Sequence, residues 1–311
     1  MSSFLITGVA GFIGCNLAER LVAEGHRVVG IDNLAYGVIE QVPDGVEFHE
    51  VDIREPASYR LYDGIDVVFH LAAKNCIPDC QADPVDTFAI NVHGSVHVFE
   101  AARRARVRKV VYAETSALYE GIDTFPTPEA RTSPETFYAL SKEAERLAVK
   151  GYERFHDLTT TALRYFCVYG PRQDYRRTIP PVMSAFIIKL LRGERPVIYG
   201  SGQKRRDFVF VDDVNNFHIL CAFDSRSDGK TFNVGSGVSY SIREIFDQIS
   251  GLLRSKLEPV YRPDLPGEAE QTLADITSAG ALGWAPKVDL RTGLERSIAY
   301  IRERVVGSGQ S

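Results

Sequence analysis

Long apolar runs are absent from this chain. Nowhere among its 311 residues does it approach the ~18 uninterrupted apolar residues that a spanning helix needs, so no membrane span is predicted. A basic surplus is absent too. The 36 Lys and Arg stand against 41 Asp and Glu, for a net charge of −5, which gives no reason to expect nucleic acid or a membrane surface as a partner. Cysteine is scarce: the five are Cys15, Cys76, Cys80, Cys167 and Cys221. An odd number in mostly apolar contexts does not read as a disulfide framework, so a reducing cytoplasm is the expected setting. Cys76 and Cys80 stand close together, but no second Cys or His cluster completes zinc-ligand spacing, so no metal site is predicted. No basic, apolar leader with a cleavage site opens the chain, and no signal peptide is expected. Internal repeats are not seen either.

What is there is an alternating α/β pattern in a chain long enough for a sizeable core. Phe4–Thr7, Arg27–Ile31, Val46–Val51, Val67–Leu71, Lys109–Ala113 and Thr161–Tyr165 read as short apolar strands. Ile13–Glu24 reads as a helix, with Ile13, Leu17 and Leu21 on one face and Gly25 as its stop. Further helices are expected near 86–105 and over Tyr138–His156. Strands apolar on both sides, separated by helices, predict a doubly wound parallel sheet of the Rossmann type. After Gly170 the pattern changes. A helix over Pro180–Leu191, strands at Val197–Tyr199 and Asp207–Val211, and a helix over Asp212–Phe223 with Asp212 as N-cap are expected. Thr231–Val234 reads as a strand returning to the main sheet. Ser241 and Glu244 form a capping box, Pro259–Arg262 is extended, and Leu290–Val305 is a last amphipathic helix. The expected domains are 1–169 plus about 212–238, binding a dinucleotide, and a smaller interleaved α/β lobe of 170–211 plus 239–305. Residues 306–311 read as a disordered tail.

Gly8, Gly11 and Gly14 lie between the first strand and the first helix. A glycine turn there lets a pyrophosphate approach the backbone and rest on the positive helix end. The spacing is G-x-x-G-x-x-G. Asp32, at the end of strand two, is placed to accept hydrogen bonds from the adenosine ribose and to repel a 2′-phosphate, so NAD is favoured over NADP. Asp52, ending strand three, can reach the adenine amino group. Ala72 and Ala73, after strand four, are small enough to let a cofactor pass. For Asp52 and for Asn91 a cap or a buried hydrogen-bonded side chain is the alternative reading.

Tyr138 and Lys142 lie four apart on a predicted helix and project from one face. A lysine ammonium stabilises a phenolate, which lets tyrosine take a hydroxyl proton while hydride leaves the same carbon. Thr115 or Ser116, at the carboxyl edge of strand five, can hydrogen-bond the reacting oxygen. The alternative is a hydroxyl that merely closes the strand in a turn.

Together these stretches resemble an extended short-chain dehydrogenase/reductase of the NAD-dependent nucleotide-sugar epimerase/dehydratase family, over residues 3–303. The resemblance continues in Arg164-Tyr165-Phe166, Val168 to Arg172, Arg206-Asp207-Phe208, Val211-Asp212-Asp213, Phe232 to Gly235, and Leu282-Gly283-Trp284-Pro286. It implies further cofactor contacts at Phe12, Ile13, Asn33, Ile53, Leu71 and Tyr165. It implies a nucleotide-sugar site, UDP-linked, with Arg206 at the diphosphate and Arg262 supporting it where an arginine is replaced by Leu265-Pro266. Val197 and Tyr199 would flank the uracil, Asp275 the ribose, and Cys167 would stand where an asparagine usually meets the diphosphate. For Arg206 a surface ion pair with Asp207 is the alternative. The resemblance also implies a homodimer built on the helices near 86–105 and 138–156.

Family dehydratases and decarboxylases resemble Thr-Asp-Glu or Thr-Ser-Glu after strand five. Here Thr115-Ser116-Ala117 lacks the glutamate. The implied reaction is therefore C4 epimerisation of a UDP-hexose or UDP-N-acetylhexosamine through a 4-keto sugar. Cys167 with Asp174 makes a glucuronate a less expected substrate. Thr272 stands where a tyrosine restricts some relatives to unsubstituted hexoses, so an N-acetyl group has room. A dehydratase that uses Glu114, and a non-catalytic NAD-binding sensor, are the alternatives.

Overall fold

The computed structural model of this chain describes residues 1–173, 175, 179–264 and 269–306. Six strands come first: β1 (Ser3–Thr7), β2 (Arg27–Asp32), β3 (Val46–Glu50), β4 (Val67–His70), β5 (Lys109–Thr115) and β6 (Thr160–Tyr165). β7 (Cys167–Tyr169), β8 (Val197–Tyr199) and β9 (Arg205–Phe210) follow, then β10 (Lys230–Val234), β11 (Ser239–Ser241) and β12 (Val260–Arg262). Seven of them form one sheet in the order β10-β6-β5-β4-β1-β2-β3. β1 pairs in parallel with both β2 and β4, so the order reverses at β1 and the carboxyl ends of β1, β2, β4 and β5 share an edge. Two small sheets, β11-β9-β7 and β12-β8, complete the strands.

The helices, in order, are α1 (Phe12–Ala23), α2 (Ile77–Ala82), α3 (Pro84–Phe88), α4 (Ser95–Arg104) and α5 (Phe137–His156). They continue with α6 (Val182–Leu191), α7 (Val211–Phe223), α8 (Ile242–Leu253), α9 (Thr277–Ala281) and α10 (Leu290–Ile301). The central strands are apolar on both faces because both are covered. Leu5, Val29, Val68 and Val110 join Val98, Phe99 and Ala102 of α4 and Val149 of α5 in one buried cluster.

Several expectations need correction. The helix expected near 86–105 is interrupted by a π-turn over Ala89–Gly94, which separates α3 from α4. Asp212 does not cap α7. It lies in the helix's first turn and pairs with Arg296 at 2.7 Å. The last helix ends at Ile301 and is followed by a π-turn over Arg302–Val306, so Val306 closes a helical turn. Residues 307–311 of the expected tail lie outside the described residues.

The chain forms two compact units. The first comprises 1–121, 129–165 and 215–232; the second comprises 122–128, 166–214 and 233–311. The excursion of 122–128 into the second unit is absent from the expected boundaries. Thr127 pairs there with Ala274, and Asn233 Nδ2 donates to the Thr127 carbonyl at 2.8 Å. Nothing in a local pattern signals that pairing, since the partners are far apart in sequence.

The capping box at the start of α8 is formed as expected. Glu244 N donates to Ser241 Oγ at 3.1 Å, and Ser241 N donates to Glu244 Oε2 at 2.6 Å. Ser241→Ala is expected to destabilise the fold by about 1 kcal/mol, read as a lower urea midpoint at unchanged slope. An unmoved midpoint would show that the box contributes nothing.

Candidate active site

The turn between β1 and α1 is closed so tightly that side chains are excluded. Gly8 has a φ of +74°, and a Cβ there would come within 2.8 Å of Ala72 N. A Cβ on Gly14 would meet Gly8 O at 2.3 Å. Gly11 opens α1 without any side-chain cap, which leaves the first-turn N–H groups for an anion. Phe12 and Ile13 form that first turn. At the end of β2 the Asp32 carboxylate is nearly buried and fixed, accepting from Ala10 N at 3.0 Å and Leu34 N at 2.8 Å. Burial raises its proton affinity, and those backbone donors oppose the rise. A bare glycine cradle, an uncapped helix start and a fixed carboxylate beside it fit NAD.

Asp52 and Asn33 are more engaged than expected. Asn33 Nδ2 donates to Asp52 Oδ2 at 2.8 Å, and Arg54 donates to the same carboxylate at 2.7 and 2.9 Å. The Arg54 hydrogen bond holds the Asp52 carboxyl down at about 2. Ile53 is buried over Gly94. Asn91 takes the alternative reading: it has no exposed surface. It accepts from Lys74 N at 2.8 Å and donates to Lys74 O at 2.9 Å and Ser141 Oγ at 3.0 Å. Both amide hydrogens are committed, so Asn91 braces α5 and the segment after β4 instead of offering a donor to a ligand. Leu71 N and Ala72 N each donate to Thr7 Oγ1 at 3.2 Å, which holds the Leu71–Ala73 segment against the glycine turn. Tyr165 lies at the end of β6 with its hydroxyl 2.5 Å from His218 Nε2.

Helix α5 begins at Thr136, whose Oγ1 accepts from Ala139 N at 3.2 Å and donates to Glu120 Oε1 at 2.9 Å. This cap sets the first turn, where Tyr138 is half-buried, and one turn on Lys142 is buried. Thr115 hydrogen-bonds the Tyr138 phenol, and its Oγ1 also accepts from Ala117 N at 3.1 Å. Of the two expected hydroxyls, Thr115 is therefore the one brought to Tyr138, while Ser116 starts the following turn. Burial pushes the Tyr138 phenol up; the Lys142 charge and the Thr115 hydrogen bond pull it back without cancelling the rise. Lysine alone thus leaves the phenol protonated at neutral pH, and a further positive charge is needed to make it a base.

Sequence reasoning missed what stands behind Lys142. Its ammonium pairs with Glu145, which has no exposed surface. His70 Nε2 lies 3.6 Å from the other Glu145 oxygen and 2.8 Å from Ser95 Oγ, and His70 Nδ1 lies 2.7 Å from Thr7 Oγ1. Burial first, and Lys142 second, drop the His70 imidazole to about 3, so it is neutral. A charged residue on the buried stripe of α5, in helical step with Tyr138 and Lys142, was the available signal.

Glu114, the residue behind the dehydratase alternative, is buried and consumed. Arg164 holds it at 2.7 Å, and Tyr112 donates to it at 3.2 Å.

The second unit holds the residues expected to meet a substrate. Cys167 pairs in register with Phe208, so it shares a sheet face with Arg206, two residues earlier on β9. Arg206 is half-buried and donates to the Arg205 carbonyl at 2.9 Å. Thr272 bonds along the same strand: its N donates to Arg205 O at 3.0 Å, and its Oγ1 accepts from Asp207 N at 3.2 Å. Asp207 is fully buried and accepts from Ser236 N, Gly237 N and Ala274 N, so it ties three segments together instead of pairing with Arg206. Arg262 lies opposite Tyr199 in the β12–β8 pair, in line with Val197, and both Arg262 and Tyr199 are exposed. Asp275 Oδ1 accepts from Thr277 N at 3.0 Å at the start of α9. Asp174, Leu265 and Pro266 lie outside the described residues. Among the described residues no group of three or more His, Cys, Asp or Glu could hold a metal ion, and no helix is long and apolar enough to cross a membrane.

Residues 4–235 match the family described as "NAD dependent epimerase/dehydratase family". The chain is 36% identical over 310 residues to a UDP-glucose 4-epimerase of Mycolicibacterium smegmatis, covering 96% of this chain and 98% of that protein. Its fold is similar to a UDP-glucose 4-epimerase from Thermotoga maritima solved with UDP-glucose, with a TM-score of 0.94, 32% identity, and 97% and 99% of the two chains covered. It is equally similar to a UDP-N-acetylglucosamine 4-epimerase from Methanobrevibacter ruminantium M1 in complex with UDP-N-acetylmuramic acid. There the TM-score is 0.94 and the identity 30%, over 98% and 99% of the chains.

Two outcomes follow from the first unit. Gly14→Ala drives a Cβ into backbone, a strain on the order of 1–3 kcal/mol, so NAD binding should weaken roughly tenfold or more in fluorescence titration while the circular dichroism stays native. Wild-type affinity in this variant would remove the cradle. Asp52 is held well below its ordinary 3.8, so its stabilising contribution is full above about 3.8 and is lost as pH falls toward about 2. Urea midpoints measured across that window should fall less steeply in Asp52→Asn than in the native chain.

Proposed function

The chain belongs to the NAD-dependent epimerase/dehydratase family, and from that premise we propose that it is a UDP-sugar 4-epimerase acting on a UDP-hexose or UDP-N-acetylhexosamine. The observation that carries the reading is the meeting of Tyr138, Thr115 and Lys142 at the carboxyl end of β5, with Glu114 withdrawn into an ion pair. Tyr138 removes the proton from the sugar's 4-hydroxyl and returns one to the 4-keto oxygen after the ring has turned over. Thr115 hydrogen-bonds Tyr138 and orients the phenol for that transfer. Lys142 keeps a positive charge beside the phenolate. NAD, when bound, supplies the hydride acceptor and donor. Gly8, Gly11, Gly14 and the first turn of α1 would hold its pyrophosphate, and Asp32 its ribose.

A carboxylate beside Thr115 would be needed to pull a ring proton for elimination. Ala117 has none, and Glu114 is held by Arg164, which supports epimerisation over dehydration. For the nucleotide sugar we propose Arg206 and Arg262 at the diphosphate, with Cys167 beside it. Val197 and Tyr199 serve at the base, Asp275 at the ribose and Thr272 at the sugar's C2 substituent.

We also propose a homodimer in a reducing cytoplasm. Five free cysteines, four of them buried, suit that compartment. Helices α3 and α5 leave large apolar side chains outside: Val85 is 81% exposed, Leu147 58% and Phe155 72%. Phe88, Phe137 and Leu140 add to them. Light scattering at micromolar concentration should report a dimer, and Leu147→Arg should shift it toward monomer. A monomeric native chain would remove this part.

Proton NMR with NAD and either UDP-glucose or UDP-N-acetylglucosamine should show the 4-epimer accumulating without net NADH. A keto or alkene product would overturn the reading. Tyr138→Phe should lower turnover by about 10²–10⁴-fold while NAD stays bound. Thr272→Tyr should lower kcat/KM for the N-acetyl sugar relative to the plain hexose by roughly tenfold, the cost of filling space the acetamido group needs.

A further inference from the structure

Glu145 is a buried charge that the mechanism above does not use. Tyr138, Lys142 and Glu145 are four and three residues apart and share one face of α5. Polar groups from four elements come toward the carboxylate. Lys142 comes from α5 itself, His70 from β4 at 3.6 Å, Ser95 from α4, and Tyr112 and Glu114 from β5. Tyr138, two turns away, is faced by Thr115, Lys142, Cys80 of α2, Glu145 and Tyr165 of β6.

The ring proton of His70 can be placed. Thr7 Oγ1 accepts from Leu71 N and Ala72 N, so its own proton is left for His70 Nδ1 at 2.7 Å. Nε2 then carries the ring hydrogen, on the side of Ser95 and Glu145. The carboxylate is thus held by an ammonium on one oxygen and faced by a neutral imidazole N–H near the other. The same chain of groups runs through Thr7 to Ala72, which packs on Gly8.

A small apolar residue would pack at 145 more cheaply, because a buried carboxylate costs several kcal/mol unless paired. What the carboxylate adds is charge. It compensates a buried ammonium, and it opposes that ammonium's pull on the neighbouring phenol. We propose that Glu145 is a positioning residue for the catalytic pair: it anchors Lys142 and, by cancelling part of its charge, sets how readily Tyr138 releases its proton. The inference rests on the assignment of Tyr138 and Lys142 made above.

The test compares NAD-loaded wild type and Glu145→Gln. Gln keeps the side-chain volume and removes one negative charge, which lowers every proton affinity around it. The acidic limb of kcat against pH should move down by about one unit. The Tyr138-dependent part of the tyrosinate absorbance should move the same way; it is obtained by subtracting the matching Tyr138→Phe proteins. A packing role alone would lower the melting temperature and leave both titrations in place, and superimposable or upward-shifted curves would overturn the proposal. If the glutamine protein does not fold, Glu145→Asp withdraws the charge by one methylene and should shift both curves downward by less; no shift would again overturn it. If wild type turns over no UDP-sugar, the epimerase reading fails, while the absorbance titration still decides the role of Glu145.

Discussion

A polar helix face pressed into a dry interior is the constraint around which the first unit is arranged. Helix α5 buries Ser141, Lys142 and Glu145 against the sheet and α4, where each unpartnered group would cost more than a typical packing contact gains. The surrounding elements supply hydrogen-bond partners for Ser141, while Glu145, whose oxygens make no hydrogen bond, is compensated by its ion pair with Lys142. Asn91 of the π-turn meets Ser141, Lys142 and Glu145 meet each other, and Ser95 of α4 stands by Glu145. The π-turn has a local reason within this scheme, since it brings Asn91 into the interior between the segment after β4 and α5. The proposed function draws on the same arrangement: the face that must be satisfied internally ends, one turn earlier, at a half-buried Tyr138.

The glycine turn solves a different problem by removal. Gly8 and Gly14 are pressed so closely on Ala72 and on each other that a side chain at either would displace backbone. What remains is main chain alone, leading into a helix start without a side-chain cap. Thr7 connects the two solutions, since its hydroxyl accepts from Leu71 and Ala72 on one side and meets His70 on the other. The proposed cofactor cradle and the support of the proposed catalytic pair are therefore mechanically continuous within one unit.

In the second unit a buried acid, Asp207, gathers several segments. Asp207 accepts hydrogen bonds from three backbone amides and the Ser236 hydroxyl, which draws the turn after β10 and the segment around Ala274 onto β9. That closure brings Thr272 alongside Arg205 and Asp207. Thr272, proposed to meet the sugar, is thus positioned by an aspartate that faces inward.

Much was legible in the residues themselves. Apolar runs bounded by turn residues marked the central strands of the parallel sheet, and the edge strand β3 showed an alternating pattern. The glycine spacing, Asp32 after β2, the i, i+4 pair of Tyr138 and Lys142, and the capping box at Ser241 were all local patterns, and local geometry follows from local sequence. Choices that depend on what meets what across long separations were not legible. Both Asp52 and Asn91 suited a ligand or a neighbour equally well by type, and packing gave Asn91 to Ser141 and Lys74. Thr115 and Ser116 were indistinguishable until the end of β5 met α5. Glu114 looked like a spare acid until Arg164 of the adjacent strand claimed it, and Glu145 looked like one more helix charge until folding closed His70 and Ser95 over it. The physical reason is the same in each case. A side chain's chemistry belongs to its residue type, but its proton affinity and its availability are set by burial and by partners, and those exist only once the chain has folded.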